Sequence, residues 1–418
     1  MKFFRKLILF SLIFLSEFHS LAQDTAYARR VINKLCAKEL AGRGYVADGD
    51  KLAAQYIAKE FEGLKVSKLA ADYFQPFSFP VNTFPSKMEV KINKKILVPG
   101  KDFIVNQSSA SAKGKFSAKI LKNYNSIINL ANPHKTCFVI YKDSISNDDF
   151  LKLQSDLRAN EIKKGAFIFV EPKKLTWSVA TNTYSVPVIT LMQSVAPLEG
   201  ETVCLNIKAA YNPKHKTQNV IGIINSPVKT DTTIVFTAHY DHLGMMGKNT
   251  CFPGANDNAS GISMLLNLAK YYSVNRDYLS YNMMFIAFAG EEAGLIGSKF
   301  YTENPLLPLN KIKFLINMDL MGTGDDGMMV VNATEYKAQF ELLKNINERR
   351  NYVVKIGERG KAKNSDHYYF SEKGVPCFFF YTMGGIAAYH DVYDISETLP
   401  LTDYTDLFKL ITEFVSEL

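Results

Sequence analysis

Four short apolar runs stand out in the second half of the chain, at 233–238, 283–289, 314–318 and 376–381. Runs that are apolar throughout read as strands covered on both faces. Helical spacing lies between or beyond them. Ile262, Leu265, Leu266 and Ala269 form one stripe, and Leu407, Ile411, Phe414 and Leu418 form another. Strands alternating with helices predict an α/β fold, a mostly parallel twisted sheet with helices on both faces. From 24 to about 64 the pattern predicts two helices joined by a break at 42–44. Val31, Leu35 and Leu40 share a face of the first, and Ala53, Tyr56, Ile57 and Phe61 recur at helical spacing in the second.

The intervening block differs in character. Alternation at 88–92 predicts strands, and 108–117 reads as a loop of small and polar residues. A buried strand at 137–141, a helix around 149–159 and strands at 165–170 and 186–191 complete what reads as a smaller α/β unit. The expected organisation is a leader at 1–22, an N-terminal helical part of the large domain at 23–84, an inserted domain at 85–212, and the rest of the large domain at 213–418. No solenoid-type repeat is visible.

A length of 418 residues suffices for one large domain and a smaller one, and 47% hydrophobic residues exclude wholesale disorder. Lys2, Arg5 and Lys6 precede an apolar run at 7–15, and Ser20-Leu21-Ala22 has the small-x-small form of a cleavage site. These features predict a secretory leader, a mature chain beginning near Gln23, and a secreted or periplasmic protein. A membrane anchor is the other reading of that run, which is short for a bilayer. No later run is long and uncharged enough to span, so no stable membrane association is expected after cleavage. The leader carries a net +2 from Lys2, Arg5, Lys6 and Glu17, leaving +6 of the chain's formal +8. The lysines are scattered among acids, which suits solubility and gives no nucleic-acid footprint. Cys36, Cys137, Cys204, Cys251 and Cys377 are odd in number and lack C-x-x-C spacing. That argues against a thiolate metal cluster and leaves any disulfide pairing open.

Ligands of such sheets bind beyond the carboxyl ends of the strands. The residues just past each predicted strand are therefore informative. His239, Tyr240, Asp241 and His242 stand there for the first, Glu291 and Glu292 for the second, Asp319 for the third, and Tyr389, His390 and Asp391 for the fourth. Asp257 stands between the first strand and its helix. Each has an ordinary reading alone: a structural histidine, acids at a helix N-terminus, an N-cap, a turn residue. Together they offer imidazole and carboxylate ligands without thiolates, which suits zinc. Two zinc ions need a shared carboxylate plus about one imidazole and one carboxylate each. His239, Asp257, Glu292, Asp319 and His390 meet that need, with Asp257 as the bridge. Glu291 remains as a general base that takes a proton from the attacking water and passes it to the leaving amine.

The segments AHYDHLG, PGANDNASG, AGEEAGLIGS, NMDLMG, SDHYYFSEKGVP and YHDVYD occur in the order found in metallopeptidase family 28. By these, and by the opening segment LCAKELAGRGYVADGDKLAAQYIAKEF, the sequence resembles the secreted zinc aminopeptidases of that family, the leucyl-aminopeptidase type. The resemblance implies a two-zinc aminopeptidase acting on peptides with a free N-terminus, with the five ligands and the base named above. It further implies that Asp241 holds the other nitrogen of His239, that the Asp257–Asn258 peptide is cis, and that Tyr389 donates to the oxyanion. Ser365, Asp366 and His367 match a family motif near the site, read here as structural or supporting. KGAFIFVE and YSVPVITL make the 85–212 block resemble a protease-associated domain overhanging the cleft. His242 departs from the small residue of shorter relatives, and lines the pocket or only packs. Three alternatives stay open: a single-zinc glutaminyl cyclase, a carboxypeptidase of the same fold, or a non-catalytic ectodomain-like binding protein.

Overall fold

The computed structural model describes residues 25–128 and 132–418, and the expected leader lies outside them. Among the described residues a nine-stranded sheet forms the centre. Its middle four strands run parallel in the order Asn282–Phe288, Thr233–His239, Ile312–Met318 and Cys377–Thr382. These are the four apolar runs. All seven residues of Thr233–His239 are buried, as a strand with helices on both faces requires.

Parallel pairing holds at the centre and gives way at the flanks. On one side Ala210–Ile224 runs antiparallel to Asn282–Phe288, and pairs in turn with Phe74–Thr83 and Ser67–Lys68. On the other, Met328–Val331 runs antiparallel to Cys377–Thr382, with Ile356–Glu358 parallel beyond it. Antiparallel edges need no crossover helix, so strands arriving by other routes can join there.

Helices cover both faces. On one, Ile262, Leu265, Leu266 and Ala269 of helix Gly261–Val274 join a cluster with Leu407, Ile411 and Phe414 of helix Tyr404–Glu417. Val31 and Ile57 of the N-terminal helices Thr25–Leu35 and Gly49–Gly63 belong to the same cluster. On the other face Tyr301 and Phe370 pack with Ile286 and Phe288. Each such side chain fully buried contributes roughly 1.5–3 kcal/mol.

Residues between 89 and 207 build a second, eight-stranded sheet. Its parallel strands are Ala112–Ile120, Thr136–Tyr141, Ala166–Glu171 and Val188–Met192. The first of these takes residues 112–117 out of the expected loop. Its glycine and exposed lysines hide it from a hydrophobicity pattern, but it pairs on both sides, with Thr202–Ile207 and with Thr136–Tyr141. Helix Asn147–Arg158, capped where the Asp149 amide donates to Ser146 Oγ at 3.2 Å, buries Leu153 and Leu157 against Phe138 and Ile140. The opposite side places Val139, Ile168 and Ile189 in one cluster with Trp177, Leu243, Met246 and Phe252. The last three lie on or beside the hairpin Gly244–Met246 and Thr250–Phe252 that leads to Asp257, so the two sheets share an apolar core next to the candidate site.

Candidate metal centre

The carboxyl ends of the parallel strands gather the expected residues at one place. His239 ends its strand, Glu291 and Glu292 follow Asn282–Phe288, Asp319 follows Ile312–Met318, and His390 lies on the long loop after Cys377–Thr382. Asp257 lies in the turn Ala255–Ser260 ahead of helix Gly261–Val274, and its peptide bond to Asn258 is cis, the isomer the resemblance implies. Gly254 makes that turn possible. It has φ +62°, and a Cβ there would stand 2.1 Å from the Asp257 carbonyl oxygen.

Asp257 faces two ways. Its Oδ1 lies 3.4 Å from His239 Nε2, which is also 3.3 Å from Asp319 Oδ2. Its Oδ2 lies 3.0 Å from His390 Nε2, which is also 3.2 Å from Glu292 Oε2. Zinc with bonds near 2.0–2.1 Å sets its tetrahedral ligand atoms about 3.3 Å apart, so both sets have the spacing of a cation's ligands. One oxygen of Asp319 is buried without a hydrogen bond, as a donor atom awaiting a cation would be. The residues present therefore fit a zinc pair. Two groups of metal-competent side chains stand out by proximity, His239, Glu291 and Asp319 in one and His242, Asp257 and Glu292 in the other.

The unused imidazole nitrogens are held by main-chain carbonyls, which only accept. His239 Nδ1 donates to the carbonyl of Asp241 at 3.1 Å, and His390 Nδ1 donates to the carbonyl of Trp177 at 3.0 Å. Each bond fixes the tautomer that turns Nε2 to the cluster. The Trp177 amide in turn donates to the His390 carbonyl at 2.9 Å, and His390 sits at φ +53°. For Asp241 this corrects the expected role. Its nearer carboxylate oxygen is 3.8 Å from His239 Nδ1, and the side chain instead accepts the amides of Glu291 and Glu292, each at 3.2 Å, and the Tyr45 hydroxyl. The carboxylate turns that way because two amides and a hydroxyl converge on it, and the carbonyl of the same residue serves the imidazole.

Charge in the site is uneven. Burial lifts Glu291 well above the usual carboxylate range; His239 opposes this, while Asp366, Glu292 and Asp319 add to it. Burial would also lift Asp257, yet hydrogen bonds with His239 and His390 hold it well below that range. Burial works against a charge on His390, but Glu292 and Asp257 push it up to about 11. Without a cation, protons on the imidazoles balance the acids.

Tyr389 is exposed, and its ring lies flat on His390, with centroids 4.1 Å apart and planes 12° apart. Burial of the phenol's inner side, then the carboxylates of Asp257 and Glu292, raise its titration, so it stays a neutral donor. Ser365 accepts from Asn317 Nδ2 at 2.8 Å, and Asn317 accepts from Thr237 at 2.6 Å, in a buried chain across the parallel strands. Asp366 is fully buried, and burial pushes it up to about 7 against the opposing pull of His239 and Ser298. His367 stacks on Phe379 and burial pushes it down to about 3, so it is a neutral packing residue.

Two residues that hold the site together, Arg43 and Asp394, are invisible to strand-end reasoning. Arg43 is fully buried and donates to the carbonyls of Leu35, Tyr240, Pro253, Gly254 and Asp257 at 2.6–3.2 Å. It ties the His239 loop to the Asp257 turn. Asp394 accepts the amides of Asn256 and Asp257 at 2.8 and 3.0 Å, aiming the bridging residue. His242 is fully buried, its Nδ1 2.7 Å from Glu292 Oε1. The one signal for Arg43 in the sequence is a lone arginine between glycines inside the opening segment.

Residues 219–415 match the family model of peptidase family M28. Aminopeptidase YwaD of Bacillus subtilis is 29% identical over 212 residues, 48% of this chain and 43% of YwaD, so the match spans less than half of that relative. Among solved structures, the zinc aminopeptidase BSAP from Bacillus subtilis aligns over 94% of this chain and 95% of its own, with TM-score 0.70 and 20% identity. An aminopeptidase from Aneurinibacillus sp. strain AM-1 covers 95% and 94%, with TM-score 0.65 and 20% identity. The likeness to these two is one of fold, and it extends over both sheets.

Proposed function

We propose, from the premise that the chain carries a peptidase family M28 domain, that it is a two-zinc aminopeptidase removing residues from peptides with a free N-terminus. The observation that carries this is the division of Asp257, one oxygen toward His239 and Asp319 and the other toward His390 and Glu292. A shared carboxylate between two complete His–carboxylate sets suits a pair of cations and exceeds the needs of one.

When bound, the zinc pair supplies Lewis acidity toward the scissile carbonyl and makes water a better acid. His239, Asp319, His390 and Glu292 would hold it, with Asp257 between. Glu291, beside a ligand and outside the two sets, takes the proton of the attacking water and delivers it to the leaving amine. In the cation-free protein burial and the neighbouring acids raise its affinity for a proton, and the cations would favour the carboxylate that the first half of the task needs. Asp241 positions Glu291 and Glu292 through their amides. Tyr389 donates to the oxyanion from the mouth of the site. The sheet built from residues 89–207 overhangs the approach and favours short or extended peptides. With 1–22 acting as a leader, the enzyme would work outside the cytoplasm.

The test joins metal analysis to turnover. Purified protein is expected to hold two zinc ions per chain and to hydrolyse aminoacyl-anilides but not their N-acetylated forms, with activity lost to chelator and restored by zinc. One zinc per chain would favour the glutaminyl cyclase alternative. None, without turnover, would favour a binding protein.

A further inference from the structure

His242 lies inside the cluster without belonging to either ligand set. Its Nδ1 is 2.7 Å from Glu292 Oε1 but 3.9 Å from Asp257 Oδ1. The first separation is that of a hydrogen bond, and neither matches the roughly 3.3 Å between ligands of one zinc. The partner is informative. Glu292 turns its other oxygen, Oε2, to His390 Nε2 at 3.2 Å, so its two oxygens have different neighbours. The ring is also fixed. It is fully buried, and a Cβ on Gly254 would stand 2.4 Å from its Cδ2, so it is wedged against that backbone. Its Nε2 makes no hydrogen bond, which leaves Glu292 as the polar contact that orients it.

We infer that His242 is a positioning residue. By donating from Nδ1 to Oε1 it keeps Glu292 bound through Oε2 alone, and so keeps a coordination position open for substrate at the His390 side of the pair. The inference rests on the two-cation reading above. Zinc accepts carboxylate oxygens readily and four or five ligands in all, so an unrestrained Glu292 could close on the ion with both oxygens and occupy the place of the substrate. A ligand's hydrogen-bond partner of this kind typically governs affinity by 10–100-fold.

Two substitutions of similar bulk separate this role from packing. In His242→Asn the side-chain amide nitrogen overlays Nδ1 and keeps the donor. In His242→Gln it reaches the place of Nε2, where it has no acceptor. Zinc alone is titrated against a chromogenic chelator, and the cobalt(II)-substituted proteins are compared by visible absorption. The wild type is expected to bind two zinc ions. His242→Gln is expected to hold one of them about tenfold more weakly. Its cobalt absorption should weaken as coordination rises, and kcat should fall more than KM changes. His242→Asn should stay within about twofold of wild type in affinity and keep its spectrum. Equal zinc affinity and equal spectra in His242→Gln and wild type, or equal defects in both variants, would overturn the inference and leave the zinc pair standing. A wild type that binds a single zinc would overturn the two-cation reading and this inference with it.

Discussion

Glu291 and His390 show how one small volume pulls side chains in opposite directions. Burial and the acids around Glu291 raise its hold on a proton, which favours its neutral form, while the acids that His390 touches raise its hold on one, which favours its charged form. A cation pair reverses both, displacing imidazole protons and favouring the Glu291 carboxylate. Zinc binding should therefore release protons, and zinc affinity should rise with pH across the neutral range, because His390 holds its proton up to about 11 in the cation-free protein. Calorimetric titration with zinc in two buffers of different ionisation enthalpy checks this. Release of about one proton or more per pair is expected, and a heat that ignores the buffer would contradict it. For Glu291 the expectation is kinetic. Glu291→Gln should lower kcat by about 10³-fold while both zinc ions stay bound, since a proton carrier is lost and no ligand is. Near-normal turnover in that variant would remove Glu291 from its role.

At the scale of elements, the site is held by segments far apart in sequence. Arg43, in the turn after the first helix, joins five carbonyls from three segments. Arg43→Ala takes one donor from each of those oxygens, and the Gly254 carbonyl keeps the Ala259 amide at 3.2 Å. The substitution should destabilise the fold by more than about 3 kcal/mol, read by chemical denaturation, and weaken zinc as well. An effect below about 1 kcal/mol would show that water replaces the guanidinium. Trp177 reaches from the second sheet's side to hold His390 by its carbonyl, and is itself anchored by its indole N–H to Val105 at 2.7 Å and by its ring on Phe252, 4.7 Å away. Trp177→Ala should lose about 3–5 kcal/mol. Trp177→Phe, which removes mainly the indole donor, should lose about 1 kcal/mol. Equal losses would assign the anchoring to the indole N–H rather than the ring.

The same elements show what could be read from the chain. The central strands were legible because a strand buried on both faces must be apolar along its length, as 233–238 and 283–289 are. Met328–Val331 and Ile356–Glu358 were not, being short edge pieces beside loops. Helix Lys337–Arg350 was faint, since only Phe340, Leu343 and Ile346 are buried. Strand-end position brought His239, Asp257, Glu292, Asp319 and His390 to one place on paper as in the structure. It could not show which atoms meet: that the carbonyl of Asp241, not its carboxylate, holds His239, or that His242 meets Glu292. Arg43, Tyr45 and Trp177 act across long sequence separations, which local pattern does not encode.

For the whole molecule, the two sheets are joined at the site. The apolar cluster shared by Val139, Ile168 and Ile189 of the second sheet with Leu243, Met246 and Phe252 lies under the hairpin that leads to Asp257. The second sheet is therefore in a position to shape access and to support the ligand loops together. No helix among the described residues is long and apolar enough to cross a membrane. Cys36, Cys137, Cys204, Cys251 and Cys377 are all unpaired, so cohesion comes from these cores and from the polar ties around the site. Crystals of the zinc-loaded protein, measured on both sides of the zinc absorption edge, test the centre of the account most directly. Two anomalous peaks are expected, one against His239 and Asp319 and one against His390 and Glu292, with Asp257 touching both. A single peak, or a pair that Asp257 does not bridge, would contradict it.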